Sequence, residues 1–452
     1  MTALPADPGF RRGGVPVGAR LAFPTVDEVS RHFLSDDEPE TVHIEVHLPG
    51  RPDPRRLREA FHRALLLHPR ILVRQAPHRW YRRSYEWELT GTPDVDPVSF
   101  AGPGPDALAR ARARALSVCP PLYRSPPVRL EVVTVTAVRS VLLLTLHHTA
   151  LDAPAGLRVL ATTAALYGGE GTAVEGSAPQ RRAPAGQHGD GRVRWARPAR
   201  LARVTAARPT RAGSAANGML LRELPLPQPD PAAPWTVNDR LLVAASLTVG
   251  RWNHTHGRPD RPVRITVPVD DRPRGMAMPI GNGTRLVEVP VTPEDRSDAP
   301  LLLGRHPDPA AVTRLLHTTA RRTRTLTAHR RAPLGAGADL LTAPVLPVGV
   351  RGALTRGVRR AAAPWTSTLL LSNLGRVPYP LDFGDAGRAR AVWFSAPARM
   401  PRGLSLSAAS TGGRLQVALR WSHALLDDPA GAALARLFEE CLALTYGLRS
   451  AP

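Results

Sequence analysis

The sequence contains no lysine: all 60 of its basic residues are arginines, set against 38 acidic ones, for a formal charge of +22. Exclusive use of arginine, in a chain rich in alanine and carrying 48 prolines, fits a GC-rich coding bias, so the charge alone assigns no binding role. A basic surface still attracts anions such as nucleic acid, coenzyme A phosphates or an acidic carrier protein. Aromatic residues are scarce at 5%, and no basic–aromatic pattern or known binding motif stands out, so nucleic acid is not the expected partner. Cysteine is nearly absent. Cys119 and Cys441 are far apart, which excludes a disulfide framework and a cysteine-based zinc or redox motif, and a reducing cytoplasm is the expected setting. Long apolar runs are missing too; Val141–Leu146, among the longest, is far too short to span a bilayer. Met1–Gly14 carries proline and charge where a secretory signal needs an apolar stretch, so a soluble, non-exported protein is expected.

What is present is enough apolar residue, 43% of 452, to bury two cores, and two lobes are expected. Asp53-Pro54 can cap a helix carrying Leu57, Phe61, Ala64 and Leu65 at helical spacing, ending near His68-Pro69. Val128–Val135 is rich in β-branched residues and Val141–Leu146 is almost continuously apolar, so both read as strands, the second buried on both faces. That second strand runs directly into His147 and His148. After Asp152, residues Leu157, Leu160, Ala164 and Leu166 recur with helical period up to Gly168-Gly169.

Periodicity fails from Glu170 to about Asn217, where Gly, Pro, Ala and Arg dominate, and residues 170–217 read as a linker between a lobe of residues 1–169 and one of residues 218–452. Beyond the linker, Val237–Trp252 and Pro429–Leu444 read as helices. Val263–Val269, Leu286–Val289, Thr368–Leu371 and Leu415–Trp421 read as strands. One internal echo stands out: the run His148 to Gly156 resembles His423 to Gly431, each following an apolar strand and preceding a helix.

The segment His147-His148-Thr149-Ala150-Leu151-Asp152 lies where a strand end meets a turn, at the rim of a sheet that a substrate can reach. Imidazole titrates near neutrality, about pH 6.5, so a neutral histidine there can take a proton from an attacking hydroxyl or amine and return it to a leaving group. With an activated thioester as donor, no nucleophilic serine or cysteine is required. A plainer reading accounts for Asp152 and Asp427 equally well: both precede a helix and can act as caps. Joint metal ligation by His147, His148 and Asp152 is disfavoured, because adjacent residues of a strand point to opposite faces, and no metal is expected.

This segment resembles the active-site motif of the superfamily containing nonribosomal peptide condensation domains, polyketide-associated acyltransferases, wax ester synthases and chloramphenicol acetyltransferase. Other parts agree in order. Leu67-His68-Pro69 resembles the early His-Pro segment, and Thr236-Val237-Asn238-Asp239 a helix start of the family. Val267-Pro268-Val269-Asp270-Asp271-Arg272 with Gly281-Asn282, Leu371-Ser372-Asn373-Leu374-Gly375 and Asp382-Phe383-Gly384 resemble later elements, so the resemblance spans most of the chain.

The resemblance implies an α/β fold of two chloramphenicol-acetyltransferase-like lobes, each an α+β two-layer sandwich, meeting in a V around a central tunnel. It implies His148 as general base, His147 as a structural, site-shaping residue, and Asp152 as the site-organising carboxylate that holds an arginine. Arg272 is the first candidate for that arginine, with Arg20 and Arg74 as rivals. Ser372 and Asn373 are implied to line the tunnel and to offer a polar group to the thioester carbonyl, although a turn between strands explains them equally well. The implied activity is that of a free-standing, monomeric acyltransferase of specialised metabolism. It would move an acyl or aminoacyl group from a phosphopantetheine thioester, on an acyl or peptidyl carrier protein or on coenzyme A, to a small-molecule amine or alcohol, with no permanently bound cofactor. A non-catalytic protein that docks carrier proteins or other partners is the alternative, prompted by Ala153, which stands where most members have glycine.

Overall fold

The computed structural model describes residues 17–35, 38–102, 104–169, 196–205, 216–228, 233–270, 272, 278–296, 299–304, 307–328 and 338–446. It is a mixed α/β structure with two large apolar cores, one under each of two larger sheets, and a small third cluster around Ala107, Ala111, Val133, Val141 and Leu143. The first sheet has five strands in the order Ala391–Ser395, Thr41–Leu48, Arg139–His147, Val128–Thr136 and Val98–Phe100. Arg139–His147 is central. Every one of its residues after Arg139 is buried, as its almost continuously apolar sequence requires of a strand covered on both faces. It extends the predicted apolar run by two residues at its start and one at its end, and the pairing of Thr41 with His147 sets the first histidine as its last residue.

The second sheet has six strands in the order Thr284–Val291, Val263–Asp270, Leu369–Arg376, Leu404–Thr411, Arg414–Ser422 and Asn217–Pro225. Leu369–Arg376 runs parallel to both of its neighbours, and the other pairings are antiparallel. Helices Val237–Thr255, Pro309–Ala328 and Asp428–Ala443 contribute apolar residues to its core. The first of these starts in a capping box, in which Thr236 and Asp239 each accept from the other's backbone N–H.

Ala391–Ser395 crosses from the second half of the chain to extend the first sheet, pairing with Thr41–Leu48 from Ala391 opposite His47 to Ser395 opposite His43. Sequence reading placed no strand there. Of the segment 170–217, residues 196–205, 216 and 217 are described, and Ala199, Leu201 and Ala202 are buried in the second core; the remainder of that segment lies outside the described residues. The turn reading of Ser372 and Asn373 is corrected: both lie within the strand Leu369–Arg376, which carries an irregularity between Asn373 and Gly375. Among the described residues, no helix is long and apolar enough to cross a membrane.

The internal echo is structural as well. Asp152 caps helix Ala153–Gly168 by accepting from the Ala155 N–H at 3.1 Å, and Asp427 caps Asp428–Ala443 through Ala430 at 2.9 Å. In both copies the glycine four residues after the cap packs on the preceding strand, Gly156 against Leu146 and Gly431 against Trp421.

Candidate active site

Between the two cores lies a cavity of about 450 Å³, lined from the first lobe by His148 and Asp152 and from the second by Asn282, Ser372 and Asn373. The end of strand Arg139–His147 and the cap of the following helix fix the three motif residues in different surroundings. The His147 carbonyl accepts from the Ala150 and Leu151 N–H groups at 3.0 and 3.1 Å, which closes the turn. His147 itself is buried, and its Nδ1 accepts from the Thr149 N–H at 3.2 Å. Burial pushes its pKa down to about 4, so the ring is neutral.

His148 faces the cavity instead. Its Nδ1 lies 3.2 Å from the Leu151 carbonyl oxygen, which can only accept, so Nδ1 carries the proton and Nε2 is left with its lone pair. Among the described residues nothing bonds Nε2. The backbone of His148 is held at both ends, its N–H donating to the Glu40 carbonyl at 2.8 Å and its own carbonyl accepting from Asn282 Nδ2 at 3.0 Å.

Asp152 divides its work between its two oxygens. Oδ1 caps the helix, while Oδ2 accepts from Arg272 Nη2 at 2.7 Å and from the Gly283 N–H at 3.0 Å. Arg272 in turn donates through Nε to Asp270 at 2.9 Å and through Nη1 to the Gly281 carbonyl at 2.9 Å. Burial opposes its charge, but Asp152 and Asp270 more than offset that and push its pKa up. Gly283 makes this route possible, since a Cβ there would lie 2.3 Å from Arg272 Cδ. The rival arginines are engaged elsewhere: Arg74 holds Glu88 at 2.5 Å and Asp94 at 3.0 Å, and Arg20 lies 3.7 Å from Glu86.

Asn282 ties the lobes together on the other side of the turn. Its Nδ2 lies within 3.0 Å of the His148 and Thr149 carbonyls and of Asp27 Oδ1. Burial pushes the Asp27 carboxyl up to about 7, against hydrogen bonds from Asn282 and Trp87. Ser372 presents a hydroxyl that makes no hydrogen bond among the described residues. Asn373 is committed locally, its Oδ1 accepting from the Gly375 N–H at 2.9 Å and its Nδ2 lying 3.4 Å from Asn238 Oδ1. Ala153 is an ordinary first-turn residue of its helix, buried against the cavity.

Sequence reading missed a charged wall of this cavity. Glu40, Arg359, Arg399 and Arg402 line it, and only Arg399 has a carboxylate in ion-pair contact among the described residues, that of Glu40. Burial lowers the Arg402 pKa to about 10. These residues come from separate loops and a helix, with no local motif to announce them. Val29, Phe33, Leu157, Leu370 and Phe394 add apolar lining. Among the described residues no group of three or more His, Cys, Asp or Glu is placed to hold a metal ion.

A comparison with solved structures decides the architecture. The starter condensation domain of rhizomide synthetase, in complex with C8-CoA and Leu-SNAC, superposes with a TM-score of 0.60 at 16% identity, covering 94% of this chain and 93% of that one. The chain has the condensation-domain fold. The trichothecene 15-O-acetyltransferase of Fusarium sporotrichioides shares it, with a TM-score of 0.63, 10% identity and coverage of 94% and 95%. The lobes are therefore those of a chloramphenicol-acetyltransferase-like V with its tunnel at the junction. No protein-family profile matches the chain. In sequence it is 28% identical to an uncharacterized protein of Mycobacterium tuberculosis over 457 residues, 93% of this chain and 99% of that protein.

Proposed function

We propose that this condensation-fold protein is an acyltransferase that takes an acyl or aminoacyl group from a phosphopantetheine thioester to an amine or hydroxyl acceptor. The observation that carries the reading is the state of His148. With Nδ1–H committed to the Leu151 carbonyl, its unpartnered Nε2 is the one basic nitrogen that the motif offers to the cavity. The acceptor N–H or O–H gives its proton to Nε2 as the acceptor atom bonds to the thioester carbonyl carbon. Collapse of the tetrahedral species breaks the carbon–sulfur bond, and the proton passes from Nε2 to the leaving thiolate.

His147 and Asp152 position this base and do not react: one is buried and neutral, the other is spent on a helix cap and on Arg272. The free hydroxyl of Ser372 is the best placed group to receive the oxyanion, whereas Asn373 shapes the irregular strand. Arg359, Arg399 and Arg402 support an anionic donor, coenzyme A or a carrier-borne phosphopantetheine. The bound C8-CoA of the rhizomide domain and the acetyltransferase activity named for the Fusarium protein favour the same class of donor. We read residues 1–169 and 218–452 as the two lobes, joined by 170–217, in a monomer of specialised metabolism acting in the reducing cytoplasm.

The test is transfer from octanoyl-CoA and from octanoyl-loaded carrier proteins to panels of amines and alcohols, followed by mass spectrometry. His148→Ala is expected to lower turnover by about 10²–10⁴. Full turnover in that variant would remove the assignment. Stable carrier binding with no transfer to any acceptor would instead favour the docking alternative raised by Ala153.

A further inference from the structure

Helix Val348–Ala362 is built inside out. Its buried positions include Arg351, 2% exposed, and Thr355, while Leu354 and Val358 are 49% and 50% exposed. The buried side is held by charge: Arg351 donates to both Glu28 oxygens, at 2.8 and 3.1 Å, and Glu28 also meets His32. Val350, Leu354 and Val358, spaced by four, therefore form an apolar stripe facing away from the protein. The stripe continues at both ends. Upstream, Leu340, Val345 and Leu346 are exposed, and the Gly349 N–H donates to the carbonyl of exposed Trp80 at 2.9 Å, which brings Trp80 and Tyr81 alongside. Downstream lies Trp365. An apolar surface of this extent on a globular protein marks a contact site.

Apart from Asp339 beside Leu340, its charges are of one sign. No Asp or Glu occurs between Leu340 and Leu381 or between Ala76 and Tyr85, whereas Arg79, Arg82, Arg83, Arg356 and Arg360 flank the stripe. Exposed Trp and Tyr beside aliphatic residues, with arginines around them, is the composition that seats a helix in the plane of an anionic lipid surface. Trp, Tyr and Arg also mark protein–protein interfaces, so a folded acidic protein is the competing occupant. An aliphatic helix stripe with aromatics at its ends and an arginine fringe is the pattern of a helix lying on an anionic bilayer. The helix also forms part of the tunnel wall, since Arg359 on its other side lines the cavity and stacks 4.5 Å from the Phe33 ring.

We infer that the face formed by Val350, Leu354 and Val358, with Trp80, Tyr81 and Trp365, binds the surface of an anionic bilayer. The tunnel then opens beside the membrane, where an apolar acyl donor or acceptor is concentrated. The binding part of this inference stands apart from the acyl-transfer reading and is tested without turnover.

The full chain would be sedimented with vesicles of pure phosphatidylcholine and with vesicles containing phosphatidylglycerol at one part in three, at low and at high salt. Wild type is expected to pellet with the phosphatidylglycerol vesicles and to be released by salt. The Leu354→Glu/Val358→Glu double variant, altered only on the surface, is expected to lose at least tenfold in vesicle affinity while keeping the wild-type circular dichroism and melting temperature. Arg356→Gln/Arg360→Gln, a second variant, should weaken binding and flatten its salt dependence. Failure of wild type to bind phosphatidylglycerol vesicles would overturn the inference, and so would equal binding by the Leu354→Glu/Val358→Glu variant. Binding to an acidic carrier protein, or a dimer abolished by Leu354→Glu, in the absence of vesicle binding would give this face to a protein partner and would likewise overturn it.

Discussion

Arg272 Nη2 sits 2.7 Å from Asp152 Oδ2, a buried ion pair that joins the cap of a first-lobe helix to the loop leaving a second-lobe strand. The pair spans the mouth of the junction at which the cavity forms, so its loss acts on the relation between the lobes as much as on either one. Asp152→Asn separates this role from capping, because asparagine caps a helix about as well as aspartate. It leaves Arg272 with Asp270 as its one carboxylate partner among the described residues. Breaking one partner of a buried pair costs about 3–5 kcal/mol, and the remaining Asp270 contact should hold the loss to the lower end of that range. Urea denaturation of Asp152→Asn, Arg272→Met and the double variant gives the coupling energy. A value near zero would mean that the pair contributes nothing to joining the lobes.

Asn282 holds the turn after the two histidines from the opposite side, reaching the His148 and Thr149 carbonyls and Asp27 with one amide nitrogen. Asn282→Ala leaves those acceptors without their donor and frees the backbone that aims His148. As a positioning residue, it should lower kcat for acyl transfer by roughly tenfold or more with little change in KM. Loss confined to KM would place Asn282 in substrate binding instead. Burial has pushed the Asp27 carboxyl up to about 7, so this contact also titrates near neutrality. Asp27→Asn should make kcat less dependent on pH between about 6 and 8.

Buried histidines set the acid limit of the fold. Burial pushes His43, His68 and His147 each down to about 4. In the unfolded chain they titrate near 6.5, so between pH 6.5 and 4 the unfolded state binds these three protons and the folded state does not. Their contribution is fully present above pH 6.5 and is lost as the pH falls towards 4. Asp27 works in the opposite sense, because its raised pKa lets the folded state keep a proton that the unfolded chain releases near 4. The net uptake on unfolding is then about two protons in this window, or roughly 3 kcal/mol per pH unit. Melting temperatures measured from pH 7 to pH 4.5 should fall steeply. His43→Leu, which removes a ring with no hydrogen bond at either nitrogen among the described residues, should shallow the slope.

The parts of this architecture that rest on neighbours in sequence were legible there. Asp53, Asp152 and Asp427 each start a helix as their side chains dictate, and the apolar run before His147 is the central strand of its sheet. Asn238 or Asp239 reads in the sequence as the start of the helix that Thr236 caps. Two lobes followed from the amount of apolar residue and from the motif order. Contacts distant along the chain were not legible. Glu40 meets Arg399 across most of the sequence, and no local pattern distinguishes Arg399 or Arg402 from the other arginines of an arginine-rich chain. Ala391–Ser395 is five buried residues whose sequence does not say which sheet they extend. Ser372 and Asn373 look like turn formers in isolation, but parallel pairing with Ser407 and Ala408 of the strand Leu404–Thr411 holds them extended.

The repeated strand, turn and helix also makes a paired prediction about glycine. Gly156 and Gly431 occupy equivalent places four residues after their caps, and alanine at an interior helical position would normally gain about 1 kcal/mol. The added Cβ meets different neighbours. At Gly156 it would lie 2.7 Å from Leu146 Cδ1 and 2.9 Å from Ile44 Cδ1, the far ends of side chains that can turn. At Gly431 it would lie 2.4 Å from the Trp421 ring, a rigid group less than 2% exposed that cannot move without disturbing the second core. Overpacking of this kind costs about 1–3 kcal/mol. Gly156→Ala is therefore expected to change stability by less than about 1 kcal/mol. Gly431→Ala should lower stability by about 2 kcal/mol, with altered near-ultraviolet circular dichroism from Trp421. Equal effects of the two substitutions would show that the second core yields as readily as the first.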